Sequence, residues 1–233
     1  MNFNIFKNTF DNYFPPRDLN KVTPWFEDRF LASFFDSCFD IQGMCSIKKQ
    51  MLLKIAASCI NENEGYLEIG TYSGKSLISA MQSGSSASFY ACDDFSEQIT
   101  TENTQEILMN NLSRYGFSEK VHFFNGDFRR FMNNKFITVP ISVYFYDGAH
   151  DLESQYDGIK YIEPLLADKA IVIIDDWRFG PDSTSYAKKG TELAVSESNR
   201  SWELLYDLPS RFNGDLGMWW NGVAVYATWK NVE

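Results

Sequence analysis

The chain has 233 residues, a length that suits one α/β domain with an extension, and its formal net charge is −10. This acidity and the lack of a long Lys/Arg cluster argue against a nucleic-acid partner, because a phosphate backbone would be repelled. The chain has 2 histidines, which excludes a histidine-rich metal site, so a bound metal would be held mainly by carboxylate oxygens.

Residues 1–60 precede the repeating part of the chain and are rich in aromatic side chains. We predict a helical N-terminal extension that packs on the sheet, contacts a second subunit of a possible homo-oligomer, or covers a site as a lid. The segment lacks the cationic start of a signal peptide, and no apolar run could span a bilayer, so we predict a cytoplasmic protein without a membrane partner. The aromatic residues follow helical spacing in two runs separated by prolines: Phe3, Phe6, Phe10 and Tyr13, then Phe26, Phe30 and Phe34.

Residues 61–233 form the main predicted domain, in which short apolar strands alternate with amphipathic helices. The end of the chain has two strand-like runs without a helix between them, which predicts an antiparallel hairpin. Trp219 and Trp220 lie in its loop and could line a substrate pocket or pack beneath the loop. The fold class is therefore α/β: a doubly wound, Rossmann-like, mostly parallel seven-stranded sheet with a C-terminal antiparallel hairpin. The predicted strands are 66–69, 89–92, 121–124, 141–146, 170–174, 202–208 and 223–229, and the predicted helices are 76–82, 104–115 and 154–166.

The first strand runs into a glycine turn, YLEIGTYSGKSLISA, that is open to three interpretations. A P-loop follows GxxxxGK[ST], and Gly70 and Gly74 are too close together for it, although the later run IVIIDD resembles the magnesium-holding strand of nucleotide hydrolases. A dinucleotide site needs GxGxxG, and Tyr72 replaces its middle glycine. S-adenosylmethionine carries a sulfonium, an ammonium and a carboxylate instead of phosphates. Glu68 could attract that ammonium, and the glycines let the backbone approach the ligand.

Acids also follow the second and third strands, where a nucleoside would lie. Asp93, with Asp94 as the alternative, could accept hydrogen bonds from both ribose hydroxyls. Asp127 could accept one from the adenine amino group while Phe128 packs nearby. Each acid could instead cap a helix, but their recurrence at successive strand ends favours a nucleoside site.

This order of motifs resembles the class I S-adenosylmethionine-dependent methyltransferases across residues 47–229. The resemblance implies S-adenosylmethionine as the cofactor. Tyr72 departs from the commonest pattern, in which many members carry glycine. The predicted cofactor-binding residues lie in the turn and at the next two strand ends: Glu68, Gly70, Thr71, Tyr72, Ser73, Gly74, Ser76, Asp93, Asp94, Gly126, Asp127 and Phe128.

The fourth and fifth strands end in FYDGAHD and IIDDWRF, which brings Asp147, Asp175 and Asp176 to the same edge of the sheet. Three clustered carboxylates repel one another unless a cation, protons or water intervene, so we predict that they hold Mg²⁺. In the alternative, two of them cap turns and the third faces water. His150 could take a proton from the acceptor, with Asp147 as its catalytic neighbour, or could be structural.

These acids at the ends of the fourth and fifth strands resemble those of the metal-dependent branch that includes the macrocin and novobiocin-pathway O-methyltransferases. The arrangement is also similar in plan to catechol O-methyltransferase, which has a lysine at the position of His150. The resemblance implies magnesium-dependent O-methylation of a small hydroxylated molecule in natural product biosynthesis, such as a glycoside, a polyketide or a phenolic compound. The alternatives are a metal-dependent relative with another reaction such as hydroxylation, a nucleotide-binding Rossmann-like protein, or a ligand-binding module without turnover.

Overall fold

The computed structural model describes residues 1–22, 40–96, 102–133, 135–177 and 185–231. Within these ranges the core of the molecule is one sheet of seven strands. The strands are β1 (Gly65–Ile69), β2 (Ser88–Asp93), β3 (Val121–Asn125), β4 (Ile141–Tyr146), β5 (Leu166–Ile174), β6 (Arg200–Leu208) and β7 (Val223–Lys230). They lie close to the predicted bounds, although β5 begins at Leu166, and the central strands are short apolar runs whose residues are mostly buried, whereas β3 and β6 at the two edges of the sheet are more exposed.

The strand order is β3-β2-β1-β4-β5-β7-β6. Neighbours from β3 to β5 are parallel, whereas β7 is antiparallel to both β5 and β6. The predicted Rossmann-like fold with a C-terminal antiparallel hairpin is therefore confirmed. The chain reverses its direction of travel across the sheet between β1 and β4, and doubly wound sheets bind ligands at the carboxyl ends of the strands at such a point.

Helices cover both faces of the sheet. None of the helices in the described ranges is both long enough and apolar enough to cross a membrane. The helices are α1 (Phe3–Tyr13), α2 (Ile47–Ser58), α3 (Lys75–Met81), α4 (Thr104–Arg114), α5 (Phe128–Asn133), α6 (Leu152–Ile162) and α7 (Tyr186–Ser196).

The sequence pattern did not define α2, α5 or α7 as individual helices, although α2 lies within the predicted helical extension of residues 1–60. In α2 even Lys48, Lys49 and Gln50 are buried, so the helix has no polar face to produce a periodic pattern. Helix α7 contains Gly190, a helix-weakening residue that is needed here because a Cβ atom would lie 2.7 Å from the carbonyl oxygen of Leu152. Helix α5 has only 6 residues, too few for a periodic pattern.

The first aromatic run of the N-terminal extension packs against the sheet of its own chain. Phe6 and Phe10 of α1 are fully buried, and the ring of Phe10 lies 4.3 Å from that of Tyr206 in β6 and 6.0 Å from that of Trp219. Helix α1 therefore shares the main hydrophobic core rather than covering the carboxyl ends of the strands. The second predicted run, 26–34, lies outside the described residues.

The Phe10→Ala variant should lose about 3–5 kcal/mol of unfolding free energy, because it removes a buried ring from this cluster. Ile5→Ala is a matched control on the same helix. Ile5 is 55% exposed, so this change should stay within about 0.5 kcal/mol of the wild type. Urea unfolding measures both values, and equal effects of the two changes would contradict the packing of α1 into the core.

Candidate active site

The carboxyl ends of the parallel strands border a cavity of about 350 Å³. Residues 43–45 before α2 and residues 220–221 of the β6–β7 loop complete its wall. Most of the predicted site residues line it, and Glu68, Gly74 and Asp175 do not. The predicted residues in the wall are Gly70, Thr71, Tyr72, Ser73, Ser76, Asp93, Asp94, Gly126, Asp127, Phe128, Asp147, His150 and Asp176.

The two glycines of the turn are required by packing within the protein. Gly70 has a φ of +84°, and a Cβ atom there would lie 1.8 Å from the carbonyl oxygen of Asp147. Gly74 has a φ of +88°, and its Cβ would lie 2.7 Å from the side chain of Leu108 in α4. The sequence analysis assigned these glycines to the approach of a ligand. Their first role is to let β1, β4 and α4 come together.

Glu68 lies beneath the turn rather than in the cavity wall. Its carboxyl group is completely buried and accepts hydrogen bonds of 2.6 Å from the hydroxyl groups of Tyr66 and Ser76. Burial raises its pKa to about 7. In this arrangement the Glu68 carboxyl group does not border the cavity, and its hydrogen bonds hold the start of α3 against β1.

Asp93 connects the glycine turn to the loop after β2. One carboxylate oxygen accepts a 2.6 Å hydrogen bond from the backbone N–H of Tyr72, and the other accepts a 2.8 Å hydrogen bond from that of Phe95. Both donors have left-handed backbone conformations, with φ of 45° and 52°. Burial raises the pKa of Asp93. Asp94 lies beside it and caps the same loop through the backbone N–H of Ser96.

The loop after β3 supplies the other wall of this end of the cavity. Asp127 caps α5 by accepting a 3.1 Å hydrogen bond from the backbone N–H of Arg130. Phe128 and Arg129 follow it into the wall, and the guanidinium carbon lies 4.5 Å from the centre of the phenyl ring. Arg129 is not among the residues predicted from the sequence. A 2.5 Å ion pair with Asp157 fixes its position.

A cluster of polar groups also borders this cavity. Asp147, His150 and Asp176 each offer one ligand atom, and these atoms lie within 4.8 Å of one another. His150 Nε2 is 3.0 Å from Asp176 Oδ2, while Asn221 donates a 2.6 Å hydrogen bond to Asp176 Oδ1. Burial favours the protonated form of Asp176, but the hydrogen bond with His150 is the main opposing effect and holds the pKa below its ordinary value.

Asp175 lies beside Asp147 but outside the cavity wall, and it pairs with a lysine that was not predicted from the sequence. Lys49 of α2 is completely buried, pairs with Asp175, and lies 3.7 Å from Asp147 Oδ2. Burial raises the pKa of Asp147 and of Asp175, and the repulsion between the two carboxylates adds to the effect on Asp147. Burial opposes the charge of Lys49, but Asp175 and Asp147 raise its pKa above the ordinary value.

The predicted set of Asp147, Asp175 and Asp176 is therefore divided in the structure. Asp147 and Asp176 border the cavity with His150, whereas Asp175 is 1% exposed and faces Lys49. A lysine within the apolar run IKKQMLLKIAAS was the signal that could have identified this partner, because a buried lysine needs a carboxylate.

The two tryptophans of the β6–β7 loop have different roles. Trp219 is completely buried and packs against Phe14, with the ring centres 5.0 Å apart. Trp220 lines the cavity with a left-handed φ of 61°, and its backbone exchanges two hydrogen bonds with that of Asp215. Asp215 is itself buried and forms two 2.7 Å contacts with Arg211. The loop is thus braced internally.

The sequence of the central region identifies its domain type. Residues 67–177 match the family model described as a methyltransferase domain. This central region of the chain is a methyltransferase domain. The match includes the glycine turn and the strand ends that carry Asp93, Asp127, Asp147 and Asp176.

Solved structures of several methyltransferases share the fold of almost the whole chain. The O-methyltransferase TomG from Streptomyces achromogenes, in complex with S-adenosylmethionine, is 16% identical with a TM-score of 0.59 over 96% of this chain and 98% of that one. An O-methyltransferase from Bacillus cereus in complex with S-adenosylhomocysteine is 16% identical, with a TM-score of 0.57 over 97% and 100%. A putative caffeoyl-CoA O-methyltransferase from Staphylococcus aureus is 14% identical, with a TM-score of 0.57 over 99% and 100%.

The Glu68→Gln variant tests the protonation of the buried carboxyl group. The folded state raises the pKa from 4.5 to about 7, so it binds the proton more tightly than the unfolded chain, and this contribution to stability falls as pH rises through that window. Glutamine cannot ionise, so the variant should lose less stability between about pH 5 and about pH 8, by up to about 3 kcal/mol.

Urea unfolding at both pH values measures this difference. Glu119→Gln is the control, because Glu119 is exposed and the pH dependence of this variant should match that of the wild type. An unchanged pH dependence in Glu68→Gln would contradict the raised pKa.

Proposed function

We propose that the enzyme methylates a hydroxyl oxygen of a small molecule, using a divalent cation such as Mg²⁺ beside Asp147 and Asp176. The observation that carries this proposal is that one cavity contains both the glycine turn with Asp93 and the polar cluster with His150. A methyl donor and an acceptor must be held in line for a displacement at carbon, and a shared cavity permits this alignment.

The donor fits the end of the cavity formed by residues 70–73, 93–96 and 126–129. The backbone of the turn lies in the wall there, Asp93 and Asp94 provide acceptors for ribose hydroxyls, and Phe128 provides an apolar surface for adenine. Bound in this position, S-adenosylmethionine would supply the methyl group: a C–O bond forms to the acceptor as the S–CH₃ bond breaks, leaving the thioether. TomG was solved with S-adenosylmethionine and the Bacillus cereus enzyme with S-adenosylhomocysteine, which supports this assignment.

The polar cluster suits a divalent cation by its donor chemistry. Two carboxylates at the edge of a cavity repel each other, and Mg²⁺ prefers oxygen ligands of this kind. Burial and the neighbouring Asp175 carboxylate raise the pKa of Asp147, and a divalent cation beside it would favour its ionised form. The cation would polarise the acceptor hydroxyl and lower its pKa.

His150 is the group that we propose takes the proton from the acceptor. It lines the cavity, its imidazole is partly exposed, and the Asp176 carboxylate 3.0 Å away stabilises a positive charge on the ring. The cysteine in the same wall is a poor alternative base, because burial raises the pKa of Cys45 to about 12.

The acceptor would lie between the polar cluster and the apolar part of the wall formed by Met44 and Trp220. Half-exposed apolar side chains beside carboxylates suit a molecule that presents a hydroxyl on an apolar or ring-shaped body. A phenolic compound, a polyketide or a glycoside has this character. The three solved structures named above are described as O-methyltransferases, one of them with a role in tomaymycin synthesis, which supports an oxygen acceptor and a natural product as the substrate class.

A thermal-shift measurement with four ligands tests the donor assignment. S-adenosylmethionine or S-adenosylhomocysteine at about 100 times its dissociation constant should add about 2.7 kcal/mol, which raises the melting temperature by roughly 5–10 °C for a chain of this size. NAD and ATP serve as controls, because they carry the phosphates that this site is not built to hold. A shift with either control and none with the methyl donor or its product would contradict the proposal.

Steady-state methyl transfer as a function of Mg²⁺ concentration separates the roles of His150 and Asp147. His150→Gln should lower kcat by about 10²–10⁴-fold with little change in the Mg²⁺ concentration at half-activation, because it removes the proton acceptor. Asp147→Asn should raise that Mg²⁺ concentration, because it removes a carboxylate ligand.

His122→Gln is the matched control, since His122 lies exposed on β3 and should leave both parameters unchanged. An effect of His150→Gln confined to Mg²⁺ half-activation would identify His150 as a ligand rather than a base. Activity of Asp147→Asn equal to that of the wild type at every Mg²⁺ concentration would contradict the metal site.

A further inference from the structure

We propose that Lys49 is a positioning residue. It forms an ion pair with Asp175, so that Asp147 and Asp176 are the carboxylates that bind the divalent cation. This inference rests on the proposed function. It assigns a role to α2, which lies before the region that matches the methyltransferase domain.

The surroundings of Lys49 fix the position of its ammonium group. Its Nζ donates to the Asp175 carboxylate and to the carbonyl oxygen of Met44 at 3.1 Å, lies 3.7 Å from Asp147 Oδ2, and is 5.9 Å from the ring centre of Phe145. The side chain is completely buried and does not border the cavity. Lys49 therefore acts on the site through its charge and through the groups that it holds.

The charge of Lys49 makes the carboxylate edge suitable for one divalent ion. The three carboxylates of Asp147, Asp175 and Asp176 carry three negative charges when ionised, and Lys49 offsets one of them. Two negative charges remain, which a divalent cation neutralises. Without Lys49, the buried Asp175 carboxylate would have no ion-pair partner among the residues that the structure describes, an arrangement that proteins avoid.

Lys49 also connects Asp175 to the part of the cavity wall where the acceptor would lie. Its hydrogen bond to the Met44 carbonyl fixes the segment that carries Met44 and Cys45 into the cavity. The ammonium group of Lys49 thus fixes the distance between the segment that carries Met44 and the carboxylate of Asp175.

A double-mutant cycle on Lys49 and Asp175 tests this role through metal affinity. Calorimetry with Mg²⁺, in the presence of S-adenosylhomocysteine, would be carried out on the wild type, Lys49→Met, Asp175→Asn and the double variant. Lys49→Met should tighten Mg²⁺ binding by at least about tenfold, because a positive charge next to the ion is removed. Asp175→Asn should weaken it by about tenfold, because the charge of Lys49 is then uncompensated.

The double variant replaces a buried ion pair by a neutral pair and should bind Mg²⁺ within about threefold of the wild type. It remains informative if Lys49→Met alone fails to fold, since no unpaired charge is left in it. A purely structural role for Lys49 would change the melting temperatures without this order of affinities.

The outcomes are distinguishable from a failure of the proposed function. If the wild type binds S-adenosylhomocysteine but no Mg²⁺, the metal part of the proposed function fails, and this inference fails with it. If the wild type binds Mg²⁺ and the double variant loses more than about tenfold in affinity, Asp175 is itself a ligand and only this inference is overturned. Weaker or unchanged Mg²⁺ binding in Lys49→Met would also overturn it.

Discussion

The close contact between Gly70 and the carbonyl group of Asp147 is the constraint on which the site depends. A side chain at position 70 would overlap that carbonyl group, so only glycine lets the ends of β1 and β4 meet. Asp147 N–H in turn donates to the carbonyl oxygen of Ile69 at 2.9 Å. These contacts bring the turn that follows β1 and the acid that follows β4 to the border of one cavity, at the position where the sheet changes direction.

Backbone strain is concentrated around the cavity. Four non-glycine residues of its wall have a left-handed φ, a conformation that costs of order 1–3 kcal/mol each: Tyr72, Phe95, Asp176 and Trp220. Each is held by a specific interaction. Asp93 accepts the backbone N–H groups of the first two, Asn221 and His150 contact the side chain of the third, and Asp215 pairs with the backbone of the fourth. The polar residues of the site thus stabilise its shape as well as offering contacts for ligands.

The sequence predicted the sheet well because the parallel strands are short apolar runs bounded by turns. Glycine spacing and acids at strand ends also indicated which part of the chain would border a site. Two features were beyond that reasoning. A helix buried on all sides, such as α2, has no amphipathic period, and so Lys49 was missed. Asp175 and Asp176 are adjacent identical residues, and which one faces the cavity depends on the left-handed turn at Asp176 and on the lysine from α2.

The position of Trp220 along the chain affects how such an enzyme can diversify. The groups proposed to hold the donor lie between Gly70 and Phe128, whereas Met44 and Trp220 lie outside the matched methyltransferase region, one before it and one after it. Trp219 anchors the later segment in the core, and backbone hydrogen bonds with Asp215 hold Trp220 beside it. Under the proposed function, substitution of Met44 or Trp220 would alter the choice of acceptor without disturbing the groups proposed to hold the methyl donor, and new substrates would become accessible in small evolutionary steps.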